Sequence, residues 1–139
     1  MPSFGSPEWL EAYRDAINSS AEFAEAAKGW ERDIAIIVEA EPLKNVPFDM
    51  AALFDIDHGR CREVRIVTPD EAGRATFAIT APYSLWKQVV QGKLDPIRGM
   101  LQGKLKVKGD LPALAREVDA AKALVRTAAS VTTAFPDER

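Results

Sequence analysis

The segment Gln91–Leu111 has the sequence QGKLDPIRGMLQGKLKVKGDL and predicts three secondary-structure elements in close succession. Gly92 ends a preceding helix, and Asp95-Pro96 supplies the capping residue and first-turn proline that start a short second helix. Lys104–Lys108 alternates lysines with aliphatic residues, which is the period of a strand with one polar face. Asp110 then caps a final helix. The predicted order is therefore short helix, strand and long C-terminal helix.

Helical spacing also appears outside this segment. Ser6-Pro7 predicts the start of an N-terminal helix over about residues 7–28, and the polar run Asn18–Ser20 is expected to divide it into two pieces. Pro82 opens the helix that ends at Gly92. The final helix has apolar residues at helical spacing and is predicted to run to about Val131.

Four strands are predicted between these helical regions. Alternating apolar and polar residues, bounded by prolines and glycines, indicate strands at Trp30–Glu41, Phe48–His58, Arg62–Thr68 and Ala75–Thr80. Tight turns at residues 58–60 and 69–73 join the last three. Residues 30–80 are therefore expected to form an antiparallel meander.

These elements predict an α+β fold in one domain that spans residues 1–139. We expect a single, mostly antiparallel sheet of about five strands, with one polar face and one apolar face. Helices, including those of residues 82–131, are expected to cover the apolar face.

Composition and charge narrow the function. The chain has a net charge of -3 and a pI near 5.2, which argues against nucleic acid and against strong attraction to anionic membranes. It has one cysteine, Cys61, and therefore no internal disulfide. The N-terminal sequence lacks the pattern of a signal peptide, and FPDER is not a peroxisomal address. These features predict a cytoplasmic protein.

The chain resembles the sterol carrier protein 2 (non-specific lipid-transfer) family over roughly Tyr13–Ala128. The resemblance rests on the strand Phe77–Thr80, the junction Gly92–Asp95, Met100 and the phrase GKLKVKGDL at Gly103–Leu111. It implies a stand-alone member of prokaryotic type, whose sheet and helices enclose an apolar tunnel. The implied ligand is a fatty acid, acyl-coenzyme A, sterol or isoprenoid, and no cofactor is implied.

Apolar residues on the predicted inner faces are the candidate ligand-cavity residues. Each could also be an ordinary core residue, and for any single position the core interpretation is the stronger one. The candidates are Ile36, Val38, Met50, Phe54, Phe77, Ile79, Trp86, Val89, Met100, Leu101, Leu114, Val118, Leu124 and Val125.

Two polar groupings have other interpretations. Asp55, Asp57, His58 and Cys61 match no metal-ligand spacing and lack a third group to orient the histidine, so they are interpreted as part of a hairpin rather than a metal or nucleophilic site. Lys104–Lys108 is interpreted mainly as a solvated or edge-protecting strand face. A dock for lipid phosphates or an acidic partner is the alternative.

The leading functional hypothesis is a lipid carrier that performs no chemistry. A second is an accessory module that presents a hydrophobic substrate or quinone intermediate to a partner enzyme. An enzyme acting on a steroid or acyl ligand is a third, disfavoured because the acidic residues are predicted at the surface. Ligand identity, the tunnel entrance, transient membrane contact and a monomeric or dimeric state stay open.

Overall fold

A computed structural model describes residues 1–138. Its centre is a five-stranded sheet with the strand order β3-β2-β1-β4-β5. The strands are β1 (Asp33–Glu39), β2 (Met50–Asp57), β3 (Arg60–Val67), β4 (Phe77–Pro82) and β5 (Lys106–Gly109). The helices are α1 (Pro7–Asn18), α2 (Ala21–Ala26), α3 (Pro69–Ala72), α4 (Tyr83–Val90), α5 (Pro96–Leu101), α6 (Leu111–Ala115) and α7 (Val118–Ser130).

The sheet is mostly antiparallel, as predicted, but the predicted meander is wrong. β2 pairs antiparallel with both β1 and β3, whereas β4 pairs parallel with β1 and antiparallel with β5. β3 is therefore an edge strand, and the chain crosses the sheet before it forms β4. Alternation in a sequence identifies the faces of a strand but does not identify its neighbours, so this crossing was not evident.

The crossing passes through α3, where a tight turn was predicted. Thr68 caps α3 by accepting a hydrogen bond from the Glu71 backbone N–H at 3.1 Å. Ala72 packs on Ala35, Ala51 and Ala78 in a small second core. These small side chains let α3 lie close to the outer face of the sheet, so this face is not entirely polar as expected.

The turn between β2 and β3 is tight. His58 and Gly59 both have positive φ values, 50° and 84°, which is the backbone pattern of a two-residue hairpin. A side chain at Gly59 would lie 2.6 Å from the Ala24 carbonyl oxygen. The turn therefore fits closely against α2.

The helix caps follow the predictions, but the last helix is divided. Ser6, Asp95 and Asp110 each accept a hydrogen bond from a backbone N–H in the first turn of their helix. The predicted single C-terminal helix is interrupted at Arg116 and Glu117, because Glu117 leaves the helical region with φ -109° and ψ 31°. The break separates α6 from α7.

The second glycine of the GKLKVKGDL segment, Gly109, is required by the structure. Gly109 has a φ of 130° and lies opposite Phe77 in the β4–β5 pair. A side chain here would stand 2.4 Å from the Thr76 carbonyl oxygen. Only glycine fits, and β5 can therefore close onto β4 before α6 begins.

No helix within residues 1–138 is long and apolar enough to cross a membrane.

Candidate ligand-binding cavity

An apolar cavity of about 310 Å³ lies between the inner face of the sheet and the helices. Its floor comes from β1, β2, β3 and β4, and its walls come from α1, α2, α4, α5, α6 and α7. An apolar cavity of about 150 Å³ is enough to bind benzene. The space here is about twice as large, and it lies at the lower end of the range for small-molecule sites, about 300–1,000 Å³.

The structure places eleven of the fourteen candidate residues on the cavity wall. They are Ile36, Val38, Met50, Phe54, Ile79, Trp86, Val89, Met100, Leu114, Leu124 and Val125. The sheet residues among them share one face because side chains an even number of residues apart on a strand point to the same side. The helical residues come from four different helices that cover this face.

Three candidates do not line the cavity. Phe77 is buried beside it, where its ring packs edge-on against Trp30 at 5.7 Å between centroids. Val118 is only half-buried because it is the first residue after the break between α6 and α7. Leu101 is 83% exposed, since α5 turns it away from the core at its last position. The prediction that Leu101 faces inward is wrong.

Aromatic residues near the N-terminus form a part of the wall that the sequence analysis missed. Phe4, Trp9, Tyr13 and Phe54 make a continuous row, with centroid separations of 5.2, 5.2 and 5.6 Å. Trp9 and Tyr13 are four residues apart on α1 and therefore lie on the same side of it. That spacing was the available signal, but it marks a buried helix face without distinguishing a cavity wall from a core.

The polar atoms of the wall are already paired with protein atoms. Trp9 Nε1 donates to Thr133 Oγ1 at 2.7 Å, the Tyr13 hydroxyl donates to the Leu124 carbonyl at 2.8 Å, and Trp86 Nε1 donates to the Ile37 carbonyl at 2.9 Å. Burial, helped by the nearby Cys61, raises the pKa of Tyr13 far above its ordinary value. The ring donors are therefore used up, and a ligand meets a surface that recognises apolar area.

The wall reaches the surface at two places. Ile66 on β3 is 57% exposed, and Asp49, the residue before β2, is exposed as well. Met100 on α5 and Leu124 on α7 are half-buried at the other place. The cavity is therefore bounded at one place by the edge of the sheet and at the other by the short helix α5.

The two ends of the described chain meet beside Phe4. The Phe4 backbone N–H donates to the Ala134 carbonyl at 2.9 Å, and the Phe4 ring stacks on Phe135 at 6.2 Å. Next to them, Lys87 forms ion pairs with Asp137 and Glu138 at 3.0 and 2.5 Å. These contacts cover the cavity where Phe4 and Trp9 line it.

The same cluster perturbs the titration of its members. Burial acts to raise the pKa of Asp137, but hydrogen bonds from Tyr83 and Lys87 outweigh it, so the pKa is lowered. The hydrogen bond to Glu138 is the largest of the influences that raise the pKa of Lys87. The ion pair is thus favoured in the folded protein across the neutral range.

The residues Asp55, Asp57, His58 and Cys61, which were predicted to be part of a hairpin, do not line the cavity. The His58 ring nitrogens contact Asp57 at 2.7 Å and Glu31 at 2.5 Å, and the hydrogen bond to Asp57 is the main cause of a raised His58 pKa. Cys61 is buried, and burial raises the pKa of its thiol to about 11. Within residues 1–138 no group of three His, Cys, Asp or Glu side chains is placed to hold a metal ion.

The sequence pattern of the SCP-2 sterol transfer family matches residues 10–122 of the chain. A crystal structure of sterol carrier protein 2 is similar, with 32% identity and a TM-score of 0.86 over 94% of this chain and 100% of that chain. The solution structure of a conserved hypothetical protein from Thermus thermophilus is also similar. Its identity is 31% and its TM-score 0.84, over 96% of this chain and 93% of that chain.

A more distant structure shares the fold alone. The UbiJ-SCP2 ubiquinone synthesis protein has 15% identity and a TM-score of 0.52, over 82% of this chain and 85% of that chain. No curated protein sequence matches the chain.

Proposed function

The chain belongs to the SCP-2 sterol transfer family, and we propose that it is a carrier that holds one hydrophobic ligand in the cavity between its sheet and helices. The observation that carries this proposal is the cavity wall, which is apolar and whose ring donors are satisfied by the protein itself. Such a wall binds by removing apolar surface from water, at about 25 cal/mol per Å².

The size of the cavity favours a flexible chain of moderate length. If about 150 Å³ holds the six carbons of benzene, then 310 Å³ holds about twelve carbons. A saturated acyl or isoprenoid chain fits this volume, and its polar head would lie at one of the two places where the wall reaches the surface. Selectivity among such ligands is loose, since one methylene changes the binding free energy by only about 0.8 kcal/mol.

We also propose that the protein performs no chemical reaction on its ligand. Among the groups of residues 1–138 whose pKa departs from its ordinary value, only Tyr13 lines the cavity, and its hydroxyl is held by the Leu124 carbonyl. A buried phenol with a raised pKa is a poor acid and a poor base at neutral pH. We therefore expect the protein to release its ligand without any chemical change to the ligand.

Native mass spectrometry of freshly purified protein, followed by solvent extraction, tests the proposal directly. We expect one lipid per chain or, if weak ligands are lost during purification, saturable displacement of a fluorescent fatty acid in solution. A protein that releases no lipid and shows no saturable binding of acyl, sterol or isoprenoid probes would contradict the carrier function.

A second candidate function is the presentation of a hydrophobic intermediate to a partner enzyme. The fold likeness to the UbiJ-SCP2 ubiquinone synthesis protein favours it, and so does the set of exposed lysines on β5. Under this proposal, ligand binding by the isolated chain is weak and becomes strong only in the presence of the enzyme. Ligand titrations with and without a co-purifying enzyme separate it from the carrier function.

A further inference from the structure

The short helix α5 is amphipathic, and its buried side is part of the cavity. Pro96 and Met100 line the cavity, together with Leu105 from the segment that follows α5. The backbone N–H groups of Lys104 and Leu105 both donate to the Gly99 carbonyl, which fixes the turn after the helix. α5 is therefore the part of the cavity wall that stands between the ligand and the solvent at this end.

The outer side of α5 combines an exposed leucine with cations. Leu101 is 83% exposed, and Arg98 lies three residues before it on the same side of the helix. Lys93 and Lys104 are exposed in the turns that flank the helix. We name Lys93, Arg98, Leu101 and Lys104 the α5 surface.

These cations are unpaired within the part of the chain that the structure describes. Neither Lys93, Arg98 nor Lys104 forms an ion pair with any carboxylate among residues 1–138. By contrast, Lys87 and Arg126 are both paired. The segment Gln91–Leu111 contains five Lys and Arg against two Asp, a net charge of +3 in a chain whose total is -3. Positive charge is thus concentrated in the segment that contains α5, which forms part of the cavity wall.

We propose that the α5 surface docks on an anionic phospholipid bilayer and that the ligand enters and leaves the cavity past α5. The inference rests on the proposed function, because a carrier must meet the membrane from which it takes its lipid. The cations contact headgroup phosphates, Leu101 enters the interface, and the displaced α5 opens the wall at Met100.

A bilayer fits this surface better than a single phosphorylated ligand. The cations are spread over a helix and two turns, and all of them are exposed. A single head group would need cations that converge on one point beside the cavity. A charged plane is contacted by dispersed cations with an apolar side chain between them.

Co-sedimentation of the full chain with vesicles tests the inference. Wild-type protein is expected to bind vesicles of mixed phosphatidylcholine and phosphatidylglycerol, and to bind phosphatidylcholine alone weakly. Each cation near an anionic surface contributes about fivefold to binding, so the triple variant Lys93→Glu, Arg98→Glu, Lys104→Glu should bind at least about a hundredfold more weakly. Raising the salt from about 0.1 M to about 0.5 M should also release the wild type.

Matched controls separate the α5 surface from general charge. Lys44, Arg60 and Arg74 are exposed and unpaired in residues 1–138, and their reversal to Glu changes the net charge by the same amount. This control should keep most of the vesicle binding. Likewise, Leu101→Ser should weaken binding about tenfold, whereas Leu43→Ser, at a fully exposed leucine, should not.

Binding of a fluorescent fatty acid in vesicle-free solution distinguishes the two proposals. The triple variant on the α5 surface should bind this probe as the wild type does. If the wild type does not bind vesicles, or if the control triple variant loses vesicle binding to the same extent, the docking inference is overturned. The carrier function is then unaffected. Absence of fatty-acid binding in the wild type overturns the carrier function instead.

Discussion

Filling the cavity from one helix should shorten the ligand that the protein accepts. Ala128 on α7 lines the cavity and is buried, so a larger side chain at this position has no route to solvent. A phenyl ring is close in size to benzene, which occupies a cavity of about 150 Å³. Ala128→Phe should therefore occupy about half of the 310 Å³ and leave room for about six carbons rather than about twelve.

The size of the effect follows from the free energy of burying methylene groups. Each buried CH₂ contributes about 0.8 kcal/mol, or about a fourfold change in Kd. For saturated fatty acids, the wild-type Kd should fall about fourfold per methylene up to about twelve carbons and then level off. In Ala128→Phe the levelling should begin near about six carbons. For a twelve-carbon acid the variant then loses about 5 kcal/mol, a factor of more than about a thousand.

Displacement of a fluorescent fatty acid by acids of increasing length gives the break point. Ala129→Phe is the matched control, since Ala129 is the next residue of α7, is exposed and does not line the cavity. Urea unfolding identifies a variant that has simply lost stability, and Ala128→Leu provides a smaller change with an intermediate break point. The reasoning is refuted if wild type and Ala128→Phe level off at the same length, or if Ala129→Phe shifts the break point equally.

Three further outcomes are expected. Gly109→Ala should lower the free energy of unfolding in urea by about 2 kcal/mol or more, because Gly109 has a positive φ and a side chain there would lie 2.4 Å from a backbone oxygen. Gly29→Ala, which has open space around it, should change the free energy of unfolding by less than about 0.5 kcal/mol. Equal effects of the two substitutions would contradict the clash. Cys61, buried and with its thiol pKa raised to about 11, should react with a thiol reagent only as fast as the protein opens, and fully in urea; rapid native labelling would contradict its burial. Lys87→Met should cost about 1 kcal/mol at pH 7. Because the Asp137 pKa is lowered on folding, this cost should be lost as pH falls below about 4, and a pH-independent cost would contradict the pairing.

The local structure was largely predictable from the sequence. Capping residues at Ser6, Asp95 and Asp110 mark three helix starts, because each side chain satisfies a backbone N–H that the helix cannot. The alternation of Ile36 and Val38 with their neighbours assigns the inner face of β1, because side chains alternate along a strand. These features depend on residues close together in the sequence, so the sequence alone predicts them.

The strand order and the cavity could not be predicted from such local sequence patterns. The parallel pairing of β4 with β1 depends on α3, which can cross the sheet only because Ala35 and Ala78 leave space for Ala72. Leu101 has the helical spacing of an inward residue, but α5 ends there, and no element formed by residues 1–138 covers the last turn. Whether an apolar face borders a void or a packed core depends on the total volume of side chains from several elements, and no local pattern contains that sum.

The arrangement of polar atoms separates the two kinds of selectivity that a carrier needs. A catalyst, or a receptor for one ligand, requires a donor or acceptor aimed at the bound molecule. Here Trp9, Tyr13 and Trp86 direct their polar atoms at the protein, so the cavity distinguishes ligands through the volume it offers. Charge is placed outside, on the α5 surface, where it can select a membrane but not a ligand. Substitutions inside the cavity should therefore change which chain lengths bind, and substitutions on the α5 surface should change where the exchange takes place.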